Sequence, residues 1–74
     1  MIRILIADDH PIFRNGLKDI LVSKMSNAII DDVEDGQLAW EYLNKNRVDV
    51  SVLDVDMPNM DGLEVCKRVK ESAL

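Results

Sequence analysis

The chain reads as an α/β protein, a doubly wound parallel sheet built from three βα units with strands in the order 2-1-3. Three observations predict it. Two short apolar runs, Ile2 to Ala7 and Val48 to Leu53, each stop on acids, at Asp8-Asp9 and Asp54. Segments with apolar residues every three or four positions follow each run, the helical period. A third, weaker apolar run lies between them, giving the order βαβαβα that favours right-handed crossovers in a parallel sheet.

The first strand, Ile2 to Ala7, is apolar apart from Arg3 and too short for a helix, as in a strand covered on both faces. His10-Pro11 then starts a helix. Asp9 or His10 caps it, and Pro11 sits in the first turn, where the missing N–H costs nothing. Phe13, Leu17, Ile20 and Leu21 form its expected inner stripe, and Lys24 lies near the negative end of the helix dipole. Gly16 costs about 1 kcal/mol against Ala inside a helix, so close packing is expected around it.

Asn27 to Val33 is the second strand. With only Ala28, Ile29, Ile30 and Val33 apolar, it suits a sheet edge. Asp35-Gly36 turns the chain into a helix from Gln37 to Lys45, with Leu38, Ala39, Tyr42 and Leu43 inward. The third strand spans Val48 to Leu53. A loop, Met57-Pro58-Asn59-Met60-Asp61-Gly62, leads to a helix from Leu63 to Ser72 that should bury Val65, Cys66 and Val69.

Size and charge restrict the function. A chain of 74 residues is one small domain, burying only about 60% of its unfolded surface. Nine basic and fourteen acidic residues give a net charge of −5 with no basic stripe, against nucleic-acid binding by this segment. The lone Cys66 excludes an internal disulfide and a cysteine-rich zinc site. No apolar run approaches the roughly 18 residues of a membrane helix, and Met1-Ile2-Arg3 opens a strand rather than a signal peptide. A cytoplasmic location is expected.

Of the strand orders 1-2-3 and 2-1-3, the second places strands one and three side by side. It creates a switch point at their carboxyl ends, where such sheets bind ligands. Asp8, Asp9 and Asp54 would meet there, whereas Asp31 and Asp32 on the outer strand would be remote. Three crowded carboxylates repel one another and call for a cation.

Ile4-Leu5-Ile6-Ala7-Asp8-Asp9-His10-Pro11 and Leu53-Asp54-Val55-Asp56-Met57-Pro58-Asn59-Met60-Asp61-Gly62-Leu63-Glu64-Val65 resemble the receiver domain of bacterial two-component response regulators. The resemblance covers the whole chain, including Glu34-Asp35-Gly36 before an apolar helix. It implies a flavodoxin-like fold in which Asp54 accepts a phosphoryl group from a sensor histidine kinase. It also implies a Mg²⁺ ion bound directly by Asp9, by Asp8 through water or by positioning, by Asp54, and by the backbone carbonyl of Asp56. Pro58 and Gly62 would hold the loop so that this carbonyl faces the metal. Such a receiver is a switch that promotes its own phosphorylation rather than a turnover enzyme. The Asp-Asp-His-Pro opening, with Arg14, Gly16 and Leu17, is similar to the branch with a helix-turn-helix output domain, so the effector is expected to act on transcription.

The family fold has five strands and five helices. Residues 1–74 match its first three βα units, so the Ser or Thr after strand four, the Lys after strand five and any DNA-binding output domain are expected to lie outside them. Strand three would then have a free edge and recruit another chain, giving a dimer or swapped oligomer.

Other residues carry plainer expectations. His10 reads as a surface residue, neither ligand nor phosphate carrier, and Cys66 as a small core residue. Trp40 and Tyr42 read as packing residues, Met57 and Met60 as loop packing, and Asp31, Asp32, Glu34 and Asp35 as a solvated acidic face. One rival is a haloacid-dehalogenase-type phosphatase using Asp54 as nucleophile and Asp56 as acid, but Pro58 stands where that motif has Thr or Val. Another is an interaction module that is not phosphorylated. An EF-hand is excluded, because Pro58, Asn59 and Val65 replace a ligand, the turn Gly and the bidentate Glu.

Overall fold

The computed structural model describes residues 1–72. Its elements are β1 (Ile2–Ala7), α1 (Pro11–Lys24), β2 (Ala28–Val33), α2 (Gly36–Lys45), β3 (Val50–Leu53) and α3 (Gly62–Ser72). The strands are parallel in the order β2-β1-β3. The central strand pairs Ile2 to Ala7 with Ala28 to Val33 on one side and Ile4 to Ala7 with Val50 to Leu53 on the other.

Central position explains the composition of β1: Ile4, Leu5, Ile6 and Ala7 are all buried. Because alternate side chains face opposite sides of a strand, they divide between two cores. Leu5 and Ala7 pack with Ala39 of α2, Val65 of α3, and Met57 and Met60 of the intervening loop. Ile4 and Ile6 pack with Ile30, Leu17, Leu21 and Met25 on the α1 side. The sheet is thus covered on both faces, and Met57 and Met60 are the packing residues that the sequence indicates. No described helix is long and apolar enough to cross a membrane.

Three features of β3 and α1 differ from what the sequence leads one to expect. The β3 ladder begins at Val50, two residues later than expected, because the Asp49 carboxylate accepts the Arg3 N–H at 2.8 Å in place of a backbone carbonyl. Helix α1 is rotated from its apolar stripe. Leu17 and Leu21 are half-buried, but Phe13 and Ile20 stay exposed, at 60% and 58%. Arg14 and Lys18 turn inward to reach Asp32 at 2.8 and 3.0 Å, which moves the buried face by roughly a quarter turn. Gly16, on the outer side, has nothing within 4 Å of a Cβ position, so no close packing accounts for it.

In α3, Val65 is buried and Val69 half-buried, whereas Cys66 is exposed at the margin of a trough beside β3. Among the described residues β3 is the edge strand, so no further strand lies on that side of the helix. Trp40 is half-buried on α2, with the Arg68 guanidinium 6.0 Å from its ring centre.

Candidate phosphoacceptor site

The carboxyl ends of β1 and β3 meet as the strand order requires. The Asp54 amide donates to the Ala7 carbonyl at 2.9 Å, continuing the β1–β3 ladder one residue beyond Leu53. The Asp8 amide donates to Val33 at 3.2 Å on the other side. Both acids are therefore held by backbone hydrogen bonds, and Asp9 follows where the chain leaves the sheet. Carboxylate oxygens of Asp8, Asp9 and Asp54 and a ring nitrogen of His10 all lie within 4.8 Å of one another.

Each acid has a different setting. The Asp8 side chain is 9% exposed, that of Asp54 25%, and that of Asp9 36%. A gradient from buried to open runs across the cluster, with Asp54 reachable from solvent. Asp8 Oδ1 accepts the His10 N–H at 2.8 Å, satisfying a donor at the start of α1, and His10 Nδ1 lies 2.7 Å from the same oxygen. Burial pushes the Asp8 carboxyl up. The His10 amide, imidazole and charge, together with the Arg14 charge, outweigh it and hold the group below the usual carboxylate range.

His10 is at the surface as the sequence indicates, and it stands beside all three acids. Its side chain is 68% exposed, yet Nδ1 also lies 3.2 Å from Asp9 and 3.6 Å from Asp54. The hydrogen bond to Asp8, then the charges of Asp9 and Asp8, raise its pKa against the opposing effect of burial, with Asp54 adding to the rise. A positive ring there relieves the mutual repulsion of the acids. The signal was adjacency: a His directly after two strand-end acids, and directly before a Pro that starts a helix, has few other places to point.

Asp56 lies outside this cluster. Its side chain is exposed, but its amide donates to Asp54 Oδ1 at 3.3 Å, which ties the loop to the acid. Gly62 approaches from the other end of the loop. Its amide donates to Val55 at 3.1 Å, and a Cβ at 62 would lie 2.2 Å from the Asp54 carbonyl oxygen. Its φ is not positive, so the requirement at Gly62 is space rather than an unusual backbone angle.

The expected solvated acidic face is absent. Asp32 accepts from Arg14 and Lys18, and Arg14 also donates to the Asp8 carbonyl at 2.7 Å. Asp31 accepts from the Tyr42 hydroxyl. Asp35 is buried and caps α2 by accepting the Leu38 N–H at 2.8 Å. Only Glu34 of that group is exposed as expected. Asp31 and Asp32 have polar partners on α2 and α1 that no local pattern reveals. Asp31 and Asp32 do stand apart from the acid cluster, as the strand order demands.

The donor set fits Mg²⁺. That ion is hard, prefers oxygen, and commonly takes one or two carboxylates while keeping several waters. Here three carboxylates converge, one side of the cluster is open to water, and the imidazole nitrogen already marks a position favourable to positive charge.

Comparison with known proteins agrees with this geometry. The family model described as the response regulator receiver domain matches residues 4–74. The transcriptional regulatory protein DegU of Brevibacillus brevis is 39% identical over 66 residues, covering 89% of this chain and 28% of that protein. The probable transcriptional regulatory protein NarL of Mycobacterium tuberculosis is 36% identical over 73 residues, covering 99% of this chain and 34% of that protein. The chain thus spans about a third of the length of these curated relatives. Among solved structures, the response regulator TrrA of Thermotoga maritima in complex with Mg²⁺ and BeF superposes with a TM-score of 0.89 at 35% identity, covering 97% of this chain and 61% of that one. TrrA in complex with the histidine kinase ThkA gives a TM-score of 0.85 at 35% identity, covering 96% and 60%.

Proposed function

Because the chain belongs to the response regulator receiver domain family, we propose that Asp54 accepts a phosphoryl group from a sensor histidine kinase and that the aspartyl phosphate switches an effector of transcription. Family membership leaves no support for the dehalogenase-type alternative. The reading makes the protein a phosphoacceptor module in the cytoplasm rather than a turnover enzyme. The single observation that carries it is the open, backbone-anchored Asp54 carboxylate within 4.8 Å of the Asp8 and Asp9 carboxylates.

Asp8, Asp9 and Asp54 would hold Mg²⁺ through their side chains and Asp56 through its backbone carbonyl. When bound, the ion offsets the repulsion between carboxylate nucleophile and phosphoryl oxygens. Asp54 supplies an oxygen lone pair to phosphorus as the phosphorus–nitrogen bond of the phosphohistidine breaks, and the electron pair returns to the kinase imidazole. The Asp56 N–H bond to Asp54 Oδ1 orients the carboxylate and leaves Oδ2 for attack. The start of α1 suits an approaching partner, since Ile12 and Phe13, just after the acids, are 90% and 60% exposed.

The test is mass spectrometry after incubation with Mg²⁺ and a small acyl phosphate donor. One phosphoryl group should be added, and Asp54→Asn should abolish it. Addition that persists in Asp54→Asn, or none in the unsubstituted chain, overturns the reading. TrrA was solved with its histidine kinase, which supports the same class of partner for this chain.

Self-association through β3 belongs to the same proposal. Among the described residues β3 pairs only with β1. Val50 and Val52 are 49% and 40% exposed on the face of β3 that carries α1, and the opposite face borders a trough of about 670 Å³ lined by Leu43, Val48, Leu53 and Val69. An open strand edge next to apolar surface recruits a second copy. Light scattering of a well-folded monomer would refute this.

A further inference from the structure

Two residues that carry none of the proposed chemistry hold the loop that does. Asp35 is 9% exposed, and its two carboxylate oxygens serve different elements. Oδ1 closes the start of α2 by accepting the Leu38 N–H, while Oδ2 accepts from Asn59 Nδ2 at 3.0 Å. Asn59 lies in the loop between β3 and α3. At 68°, its φ is the only positive value among the described residues.

The loop is tight at that point. The Met60 N–H donates to the Pro58 carbonyl at 2.7 Å, so Pro58-Asn59-Met60 close a three-residue turn. With positive φ at its centre, this is the rare and strained γ-turn. Such a backbone persists only where its surroundings impose it. They do so from both sides. Met57 and Met60 are sunk in the core, and Gly36 lies so near that a Cβ there would come within 1.6 Å of the Met60 carbonyl oxygen.

We infer that the Asp35–Asn59 hydrogen bond is a positioning clip that locks the β3–α3 loop to the start of α2 and so sets Asp56 relative to Asp54. Asp56 is three residues before Asn59 in a loop with little slack, and its amide already bonds to Asp54. Freedom gained at Asn59 therefore reaches the carbonyl proposed to face the metal. The clip rests on that functional reading and adds Asp35 and Asn59 to it as positioning residues.

Three variants separate positioning from mere stability. Asn59→Gly keeps the positive φ but removes the amide. Asp35→Ser keeps a helix cap but is too short to reach residue 59. Asp35→Asn keeps the cap and can donate to a turned Asn59 amide, restoring the link. Mg²⁺ dissociation constants are measured by calorimetry where circular dichroism shows every variant folded, and amide exchange is followed at Met60 and Gly62. Loss of one hydrogen bond corresponds to about five-fold. Asn59→Gly and Asp35→Ser should each weaken Mg²⁺ binding by that order and speed exchange, and the double variant should be no worse than the singles. Asp35→Asn should recover the affinity. Ile30→Val, on the opposite face of the sheet, should leave it unchanged. Unaltered Mg²⁺ affinity in both Asn59→Gly and Asp35→Ser overturns the clip while the functional reading stands. An unsubstituted chain that binds no Mg²⁺ overturns both.

Discussion

Gly62→Ala tests the packing around the acceptor directly. The new Cβ would lie 2.2 Å from the Asp54 carbonyl oxygen, 3.0 Å from its carbon and 3.3 Å from Val55 Cα. All three are backbone atoms, so no side-chain rotation relieves the clash. The Gly62 N–H bond to Val55 pulls the segments together and opposes separation. Relief needs a retreat of roughly 1 Å by the Asp54–Val55 peptide or by the start of α3, a degree of overpacking that costs about 1–3 kcal/mol. At roughly 4–8 °C per kcal/mol for a domain this small, the melting point should fall by about 10 °C. Gly16→Ala is the matched control. Its Cβ meets nothing within 4 Å, and an exposed helix interior gains about 0.4–1 kcal/mol from the same change, raising the melting point by a few degrees. Circular dichroism melts of the three chains decide it. A Gly62→Ala chain that melts with the unsubstituted protein, or a destabilised Gly16→Ala chain, refutes the packing argument. Below its melting point Gly62→Ala should also take up phosphoryl groups more slowly, because the Asp54 backbone has moved.

Further outcomes follow from other parts of the molecule. Hydrogen bonding to Lys18, opposed by burial and reinforced by Arg14, lowers the Asp32 pKa. A carboxylate with a lowered folded pKa stabilises above its unfolded value, about 3.9, and loses that contribution as pH falls through the folded value. Unfolding curves at falling pH should therefore be steeper for the unsubstituted chain than for Asp32→Asn below about pH 4, and parallel curves would contradict the ion pair. Tyr42→Phe removes the only hydroxyl bonded to Asp31 among the described contacts, and urea unfolding should register a loss of about 1 kcal/mol. Mg²⁺ at a hundred times its dissociation constant should raise stability by about 2.7 kcal/mol; Asp9→Asn should blunt the increase, and an equal rise in that variant would remove Asp9 from the metal set.

What the sequence determined by itself is the architecture and the meeting of the acids. A strand apolar on both faces belongs at the centre of a covered sheet, and strands ending on acids with helical crossovers leave few topologies. Those constraints are local or follow from chirality, so they are written along the chain. The tertiary structure alone decided which side chains answer one another across elements. The rotation of α1 depends on Asp32 lying beneath Arg14 and Lys18, on a different strand. The second carboxylate oxygen of buried Asp35 is answered by Asn59, twenty-four residues away. Gly36 and Gly62 look alike in sequence to Gly16, yet only the first two face a neighbouring backbone. Polar partnership at long range has no period and no spacing, because one hydrogen bond constrains a single pair of residues, whereas a buried face constrains every third or fourth residue of an element. For that reason the sheet and its acid pocket were legible in the residues, and the contacts that hold the pocket in shape were not.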